Sequence, residues 1–543
     1  MFSFVKGNKR HSGIDEQQKH SQSPSSDNSP DNLDTSMSAN LKILKDKTGN
    51  SSEIVIRSVS GQNFKVKISI VYIKGLVDTQ SVNDFLIESI LNNPLLHEKD
   101  IPKEVIKFIS GEVIALGEIK EVGDWDSLFT DLMSGNTIIF VDGISKALSA
   151  STQGGERRSI QESTTSIAIR GSKESFTESI ETNIAMVRRI INTPDLWSES
   201  MKIGKKTKTD VSLLYINGIA KNEIIEEVRK RLKRITIDSI LESGYIEQLI
   251  EDETNTTFPT IIHTDRPDKI AGNLLEGKIA IFINGTPFVL LVPALFINFF
   301  HSVEDYYERF DIATAIRFLR IAIFSISLVG PAIYIAATTS HQEMIPTKLV
   351  IIIAAQRETV PFPAFIEALI MEITFEILRE AGLRMPKAIG STISIVGALV
   401  IGQAAVQAGI VSPAMVIVVS ITAIASFATP SYEVAISARM IRFIFMISAA
   451  IFGFYGITLA FIVLIAHLCS LRSFGVPYMS PLAPFIKEEV GDTIFRRPIW
   501  AFKKKPKLIS EPNTVQGENQ KPKPPGPRNM VNSTVRKGGR NES

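Results

Sequence analysis

The sequence predicts a two-part, multi-domain chain: an N-terminal α/β soluble region with two related subdomains, then a C-terminal α-helical polytopic membrane domain. Three observations predict it. Charged residues are dense up to about Arg320 and again beyond Lys487, yet sparse between. Two β-rich apolar segments of the first half recur at one spacing. The second half holds uncharged runs of 20 residues or more, the length a helix needs to cross the hydrocarbon core. The chain has 543 residues, room for two to four domains, and a formal net charge of +2, so no bulk attraction to nucleic acid is expected. A single cysteine, Cys469, excludes an intramolecular disulfide framework, and no paired thiols suggest a zinc site.

Residues 1–60 open with a Ser-, Asn-, Asp- and Gln-rich stretch that lacks the apolar run of a signal peptide, and are expected to be a disordered tail. Subdomain 1 is expected over 61–150, a connector over 151–209 and subdomain 2 over 210–303. In the first, Phe64–Gly75 (FKVKISIVYIKG) ends as Asp210–Gly218 (DVSLLYING) does in the second, and Tyr72 and Tyr215 lie 143 residues apart. Gly135–Gly143 (GNTIIFVDG) matches Gly277–Gly285 (GKIAIFING) at an offset of 142. Two pairs at nearly one offset argue for duplication. The β-branched runs closed by Asp-Gly or Asn-Gly read as strands ending in turns, and helices are expected over Val82–Leu91 and Glu223–Ile235. Ile279–Val303 is uncharged for 25 residues, but Asn284, Gly285, Pro287, Pro293 and Asn298 interrupt any continuous helix. It reads as a strand followed by an apolar element near the membrane surface. No phosphate loop, dinucleotide fingerprint, HExxH, CxxC or GxSxG occurs, so neither an enzyme nor a cofactor or metal protein is expected.

The membrane domain is expected over 304–484, with about four spans at 319–340, 389–410, 413–430 and 442–468. Basic residues at both flanks (Arg309, Arg317 and Arg320 before, Arg472, Arg496 and Arg497 after) favour cytoplasmic placement of both termini. That requires an even count and leaves Arg439 and Arg442 on the outer side. The tail 485–543 is basic and expected to be largely disordered. Glu343–Met385 is too polar to span simply and reads as a re-entrant or interfacial segment. Within it Glu372, Glu376 and Glu380 share one helix face with Arg379 beside them. That face is either a solvated acidic surface or a cation-attracting vestibule.

In the second span Thr392, Val396, Leu399, Gln403 and Gln407 fall on one stripe. Ser391, Ser394, Ala398, Gly402, Ala405 and Gly409 form a separate, small-residue face suited to close helix packing. Amides on a membrane helix should face protein or water. A polar-plus-apolar stripe suits a pore, and suits equally a closed bundle in which both glutamines bond to neighbouring helices.

Several stretches then resemble a known family. Arg266-Pro267-Asp268-Lys269, Pro287–Pro293 (PFVLLVP), Asp305–Arg309 (DYYER), Pro361–Arg384, Val400–Ala408 (VIGQAAVQA) and Ser473–Pro477 (SFGVP) are similar to the A subunit of the bacterial spore germinant receptors, the GerA family, over about Ser69–Pro484. The resemblance implies a multi-pass protein of the spore inner membrane, working with a permease-like B subunit and a lipoprotein C subunit. It implies no cofactor and no nucleic-acid partner. It also implies a homo-oligomer forming a nutrient-gated cation channel, with the pore stripe on Thr392, Val396, Leu399, Gln403 and Gln407. A non-conducting scaffold, or a sporulation transporter for a small solute such as dipicolinate, are the alternatives. Glu308 and Arg309, where the soluble half enters the membrane, are candidates for coupling the two halves, or plain interfacial anchors.

Overall fold

The glycine-closed apolar runs become paired strands. A computed structural model describes residues 31–59, 66–91, 101–109, 119–154, 169–384, 400–502, 505–511 and 521. The first sheet holds β1 (Ile54–Val59), β2 (Ile68–Ile73), β3 (Ile119–Val122), β4 (Thr137–Val141) and β5 (Ala147–Ala150), in the order β1-β2-β4-β5-β3. The second holds β6 (Leu196–Ile203), β7 (Thr209–Ile216), β8 (Ile262–Thr264), β9 (Ile279–Ile283) and β10 (Val289–Val292), in the equivalent order β6-β7-β9-β10-β8. Every named pairing is antiparallel. The repeat extends to the register. Ile70 pairs with Ile139 and Ser69 with Phe140, while Leu213 pairs with Ile281 and Ser212 with Phe282. Because one slipped residue would turn every side chain to the other face, this agreement is a strong mark of duplication.

The central strands are apolar throughout, because each sheet is covered on both faces. In the first, Ile68, Ile70 and Tyr72 pack towards Val82, Leu86 and Val105. Val71 and Ile73 pack towards Trp125, Leu128 and Leu132 of the helix Trp125–Met133, whose first turn is capped by the Asp124 carboxylate accepting from Ser127 N at 2.8 Å. In the second, the helices Ile180–Ile190 and Asn222–Arg234 cover opposite faces. The helix expected over Glu223–Ile235 is therefore present, displaced by one residue.

Three expected boundaries are corrected. The tail expected over 1–60 contains a helix, Met37–Lys47, with Leu44 fully buried, and the edge strand β1. The connector expected over 151–209 contains β6 and the helix Ile180–Ile190, both integral to the second unit. Residues 485–502 and 505–511 of the expected tail pack back on the protein: Ser510 bridges Ala220, and Asp492 meets Arg317. Edge strands escaped the reading because β1 (IVIRSV) and β6 (LWSESMKI) carry polar residues on their open sides. The sheet units meet at a buried pair, Arg188 with Glu53, and at Gly49, whose φ of +60° and 2.2 Å clearance to Trp197 exclude a side chain.

Ile279–Val303 also differs from its reading as a strand and a membrane-surface element. It is β9, β10 and a short 3-10 turn, Phe296–Phe300, apolar because both sheet faces are closed. Phe296 and Phe300 stack edge-to-face on Phe324 of the next helix, so this turn is the hinge between sheet and bundle.

That next helix, Phe310–Thr339, and Tyr432–Ser470 are long and apolar enough to cross a membrane. Pro331 sits inside the first. Proline has no N–H to donate, so the Ser327 carbonyl is left without its helical partner. Arg442 Nε donates to that carbonyl at 2.6 Å. Gly330, one residue before, lets the helix Pro413–Phe427 approach until a Cβ there would stand 2.7 Å from Thr422 Oγ1.

The span expected at 442–468 is not one helix. Gly453 has φ 62° and ψ −140° and breaks Tyr432–Ser470. The limbs on either side run antiparallel. Phe445 stacks on Phe461 at 5.0 Å, and the outer ends, Ser437 and His467, both bond the 256–257 loop of the second sheet unit. Arg439 and Arg442 thus lie in the limb that begins at the sheets, against Glu376 and Glu372 of the bundle.

Candidate functional site: an inward ion-pair ladder and an outward amide face

The helix Ala364–Arg384 carries its charge towards the bundle. Glu367, wholly buried, accepts from Ser412 N at 3.0 Å, Ser412 Oγ at 2.9 Å and Arg357 Nε at 3.3 Å. Glu372, 3% exposed, accepts from Arg442 Nη1 at 2.5 Å. Glu376 accepts from Arg439 Nη1 at 3.2 Å with Arg379 3.7 Å away, and Glu380 accepts from Arg384 at 2.7 Å. On the opposite face Ile377 is 64% exposed. A helix lying on a membrane surface would bury its isoleucines and wet its carboxylates. Here Glu367 and Glu372 are buried while Ile377 is exposed, the arrangement that hydrocarbon surroundings favour, and Glu376 and Glu380, 39% and 61% exposed, lie towards the helix end. With each glutamate facing a guanidinium, the ladder carries no surplus negative charge, which removes the basis of a cation vestibule on Glu372, Glu376 and Glu380. Arg442 joins three helices, donating to Glu372, to Ser327 O and, from Nη2, to Ser327 Oγ at 3.1 Å.

Of the expected pore stripe, Thr392, Val396 and Leu399 lie outside the described residues, as does Ala398 of the packing face. Residues 400–407 are helical. Gly402 is buried there, with Val416 Cγ1 3.4 Å from where its Cβ would stand, and Ala405 packs on the bundle core. Gly409, with φ +66°, ends the segment against Thr359 O. Gln403 and Gln407 point the other way: both are exposed, and neither amide has a hydrogen-bond partner among the described residues. Gln403 lines a cleft of about 770 Å³ with Arg379, Phe375, Val416 and Phe427.

At the base of the bundle the coupling residues named from sequence are displaced. Among the described residues Arg309 pairs with its neighbour Asp311, both well exposed, and Glu308 joins no ion pair. The lock is one turn earlier and two turns later. Asp305 accepts from Arg317 Nε at 3.0 Å and from Arg320 Nη1 at 2.7 Å, with Asp305 and Arg317 each 2% exposed. Arg317 Nη1 also reaches Asp492 Oδ1 at 3.1 Å, and Tyr306 Oη donates to Asp492 Oδ2 at 2.9 Å. His301 Nε2 meets Thr493 O at 2.9 Å; burial and the nearby Arg317 hold that imidazole neutral, its pKa pushed down to about 3. The Arg317/Arg320 spacing and the DYYER aspartate carried this signal in the sequence, since residues three apart share a helix face.

Beside these geometries stand the relatives. The family model for the Bacillus/Clostridium GerA spore germination protein matches residues 42–508. The chain belongs to the GerA family. Within that family it is 57% identical over 512 residues to spore germination protein KA of Bacillus subtilis (strain 168), covering 94% of this chain and 93% of that one. It is 46% identical to the uncharacterized membrane protein YfkQ of the same organism, over 90% of this chain and 94% of the other. The crystal structure of the N-terminal domain of the A subunit of the Bacillus megaterium spore germinant receptor GerK3 matches 49% of this chain and 97% of that domain, at 50% identity and a TM-score of 0.40. GerA membership makes this chain a subunit of a spore germination receptor and a membrane protein.

Proposed function

We propose that copies of this multi-pass receptor subunit assemble around a cation-conducting path lined by its amide-bearing helix face, and that opening this path triggers germination. One observation carries the reading: residues 400–407 turn Gly402 and Ala405 into their own bundle while Gln403 and Gln407 are exposed, with no hydrogen-bond partner among the described residues. Unsatisfied amides against lipid are costly, so the face calls for water or a neighbouring copy. By helical periodicity the stripe continues to Leu399, Val396 and Thr392. Leu399 serves as the apolar gate that closes by dewetting.

The chain path supports six crossings. The helix Phe310–Thr339 leaves the sheets at Arg317 and ends by His341, beside Gly453. The helix Ala364–Arg384 returns, running from Ser412 to Ser426, Pro413–Phe427 descends beside it in the same sense, and the hairpin adds two. Two parallel helices in sequence call for a crossing in the other direction between them, of which residues 400–407 are the described part. Six is even, so both ends lie on the sheet side, and Arg472, Arg496 and Arg497 make that side cytoplasmic. The B and C subunits implied by the resemblance are the partners, and the spore inner membrane the location.

The test is a spin label at Gln403→Cys and Gln407→Cys in a Cys469→Ser background, in the assembled receptor in membranes. The expected result is collision with a water-soluble relaxer and dipolar coupling between copies. Collision with oxygen alone, as for a lipid-facing residue, overturns the reading. Leu399→Ala is expected to leak monovalent ions from dormant spores; unaltered dormancy removes Leu399 from the gate.

A further inference from the structure

Where the second sheet unit meets the rising limb of the hairpin, three side chains from three elements converge. Glu247 comes from the helix Ser243–Ile250, His263 from the middle of the edge strand β8, and Glu433 from the first turn of the hairpin, which Ser431 caps. Their ligand atoms lie within 4.8 Å of one another. His263 Nδ1 bonds Glu433 Oε1 directly, and the ring is steadied by an edge-to-face contact with Phe288 at 5.5 Å. Glu247 makes no side-chain hydrogen bond among the described residues. Two carboxylates are thus held together with one imidazole between them, half-shielded from water: His263 is 38% and Glu433 22% exposed. The one basic group inside the cluster is the His263 imidazole, which, against the effect of burial, Glu433 and Glu247 draw towards its protonated form. A bound metal ion would take the place of that proton. The neighbouring Lys269 acts on it through space but does not enter it, and Glu242 and Glu251 add further negative charge.

We propose that Glu247, His263 and Glu433 bind a divalent cation that clips the hairpin to the second sheet unit. One imidazole nitrogen with two carboxylate oxygens suits Zn²⁺ or Mn²⁺ better than Ca²⁺ or Mg²⁺, which prefer all-oxygen shells. Ligands at about 2.1 Å from a tetrahedral ion stand about 3.4 Å apart, so small side-chain rotations close the present spacing. Three protein ligands leave a coordination position open. A cavity of about 310 Å³, lined by His263, Glu433, Thr264, Ser302 and Ser431, gives that position access to water. The ion bridges elements more than 160 residues apart in sequence, and so ties the position of the membrane hairpin to the sheets. This does not rest on the conduction reading and stands or falls separately from it.

The test uses the full chain in detergent micelles, in a Cys469→Ser background so that the exposed thiol takes no metal. Co²⁺ is the probe. One equivalent is expected to bind per chain with visible d–d absorption, to be displaced by one equivalent of Zn²⁺, and Zn²⁺ is expected to raise the thermal midpoint. His263→Gln and Glu433→Gln should each weaken Co²⁺ binding at least tenfold. Glu247→Gln removes a carboxylate that makes no side-chain hydrogen bond among the described residues and is repelled by Glu433, so it should weaken binding as much without lowering the metal-free midpoint. Glu251→Gln should alter neither. Absence of stoichiometric binding, or affinity unchanged in Glu247→Gln, overturns the proposal.

Discussion

The two sheet units share strand order and register, yet among the described residues it is the second whose core is joined to the membrane bundle. Its core runs without interruption into the hairpin: Val434, Leu468 and Leu471 belong to the same buried cluster as Ile262, Phe282 and Leu291. The difference is written at equivalent positions. Leu148 pairs with Glu121 in the first unit, and Leu290, its counterpart, pairs with His263 in the second. Glu121 makes a surface ion pair with Lys146, whereas His263 faces Glu433 of the membrane hairpin. Duplication therefore supplied two copies of one scaffold, and the equivalent edge position faces a surface lysine in one and the membrane hairpin in the other.

The comparison breaks most sharply at Asp305. Asp305→Asn leaves Arg317 buried against a neutral partner and loosens Arg320, an effect of about 3–5 kcal/mol for a broken buried pair. It is expected to lower the thermal midpoint of the bundle, followed by fluorescence in detergent, while leaving the first unit's protection from proteolysis intact. Equal loss in both units would mean they unfold as one.

A smaller effect should appear on acidification. His301 is neutral when folded, with a pKa near 3 against about 6.5 unfolded. Its contribution is complete above pH 6.5 and is lost as pH falls, because the unfolded chain takes up the proton first. Between pH 7 and 5 this amounts to about 2 kcal/mol. Glu247, raised to about 7 by burial and by Glu433, works in the opposite direction over this window. The readout is therefore the difference between the parent chain and His301→Gln in chemical denaturation at the two pH values. Identical pH slopes would refute the assignment.

The smallest effect sharpens the contrast. Lys146→Met in the first unit removes only an exposed pair with Glu121, expected to cost about 0–1 kcal/mol. A midpoint shift as large as that of Asp305→Asn would show that the first unit has a docking role of its own.

Much of the fold was legible because the repeat is carried by short-range signals. The offset of 143 residues between Tyr72 and Tyr215 survives as an offset of 143 between Ile70 and Leu213 in the paired register. Gln403 and Gly402 were separated onto two stripes by helical periodicity alone, and in the described turn Gly402 is buried while Gln403 is exposed, both on the cleft beside Val416. What escaped depends on partners far along the chain. Nothing local tells Glu372 that Arg442 lies against it, so the glutamates of that helix read as a wet acidic face. The hairpin escaped for another reason. Glycine is common in membrane helices, so Gly453 does not announce a reversal. The reading of 442–468 as one span has an ordinary length; the 39 residues the structure shows would make a straight helix of about 58 Å, nearly twice the hydrocarbon thickness.

Pro331 has a consequence for how the bundle is assembled. Restoring alanine there would let the helix close its own backbone ladder and evict the guanidinium of Arg442 from Ser327, uncoupling two neighbours in order to perfect one rod. The imperfection serves as a socket. It obliges the first helix to wait for the hairpin, so that neither is complete until the other has arrived.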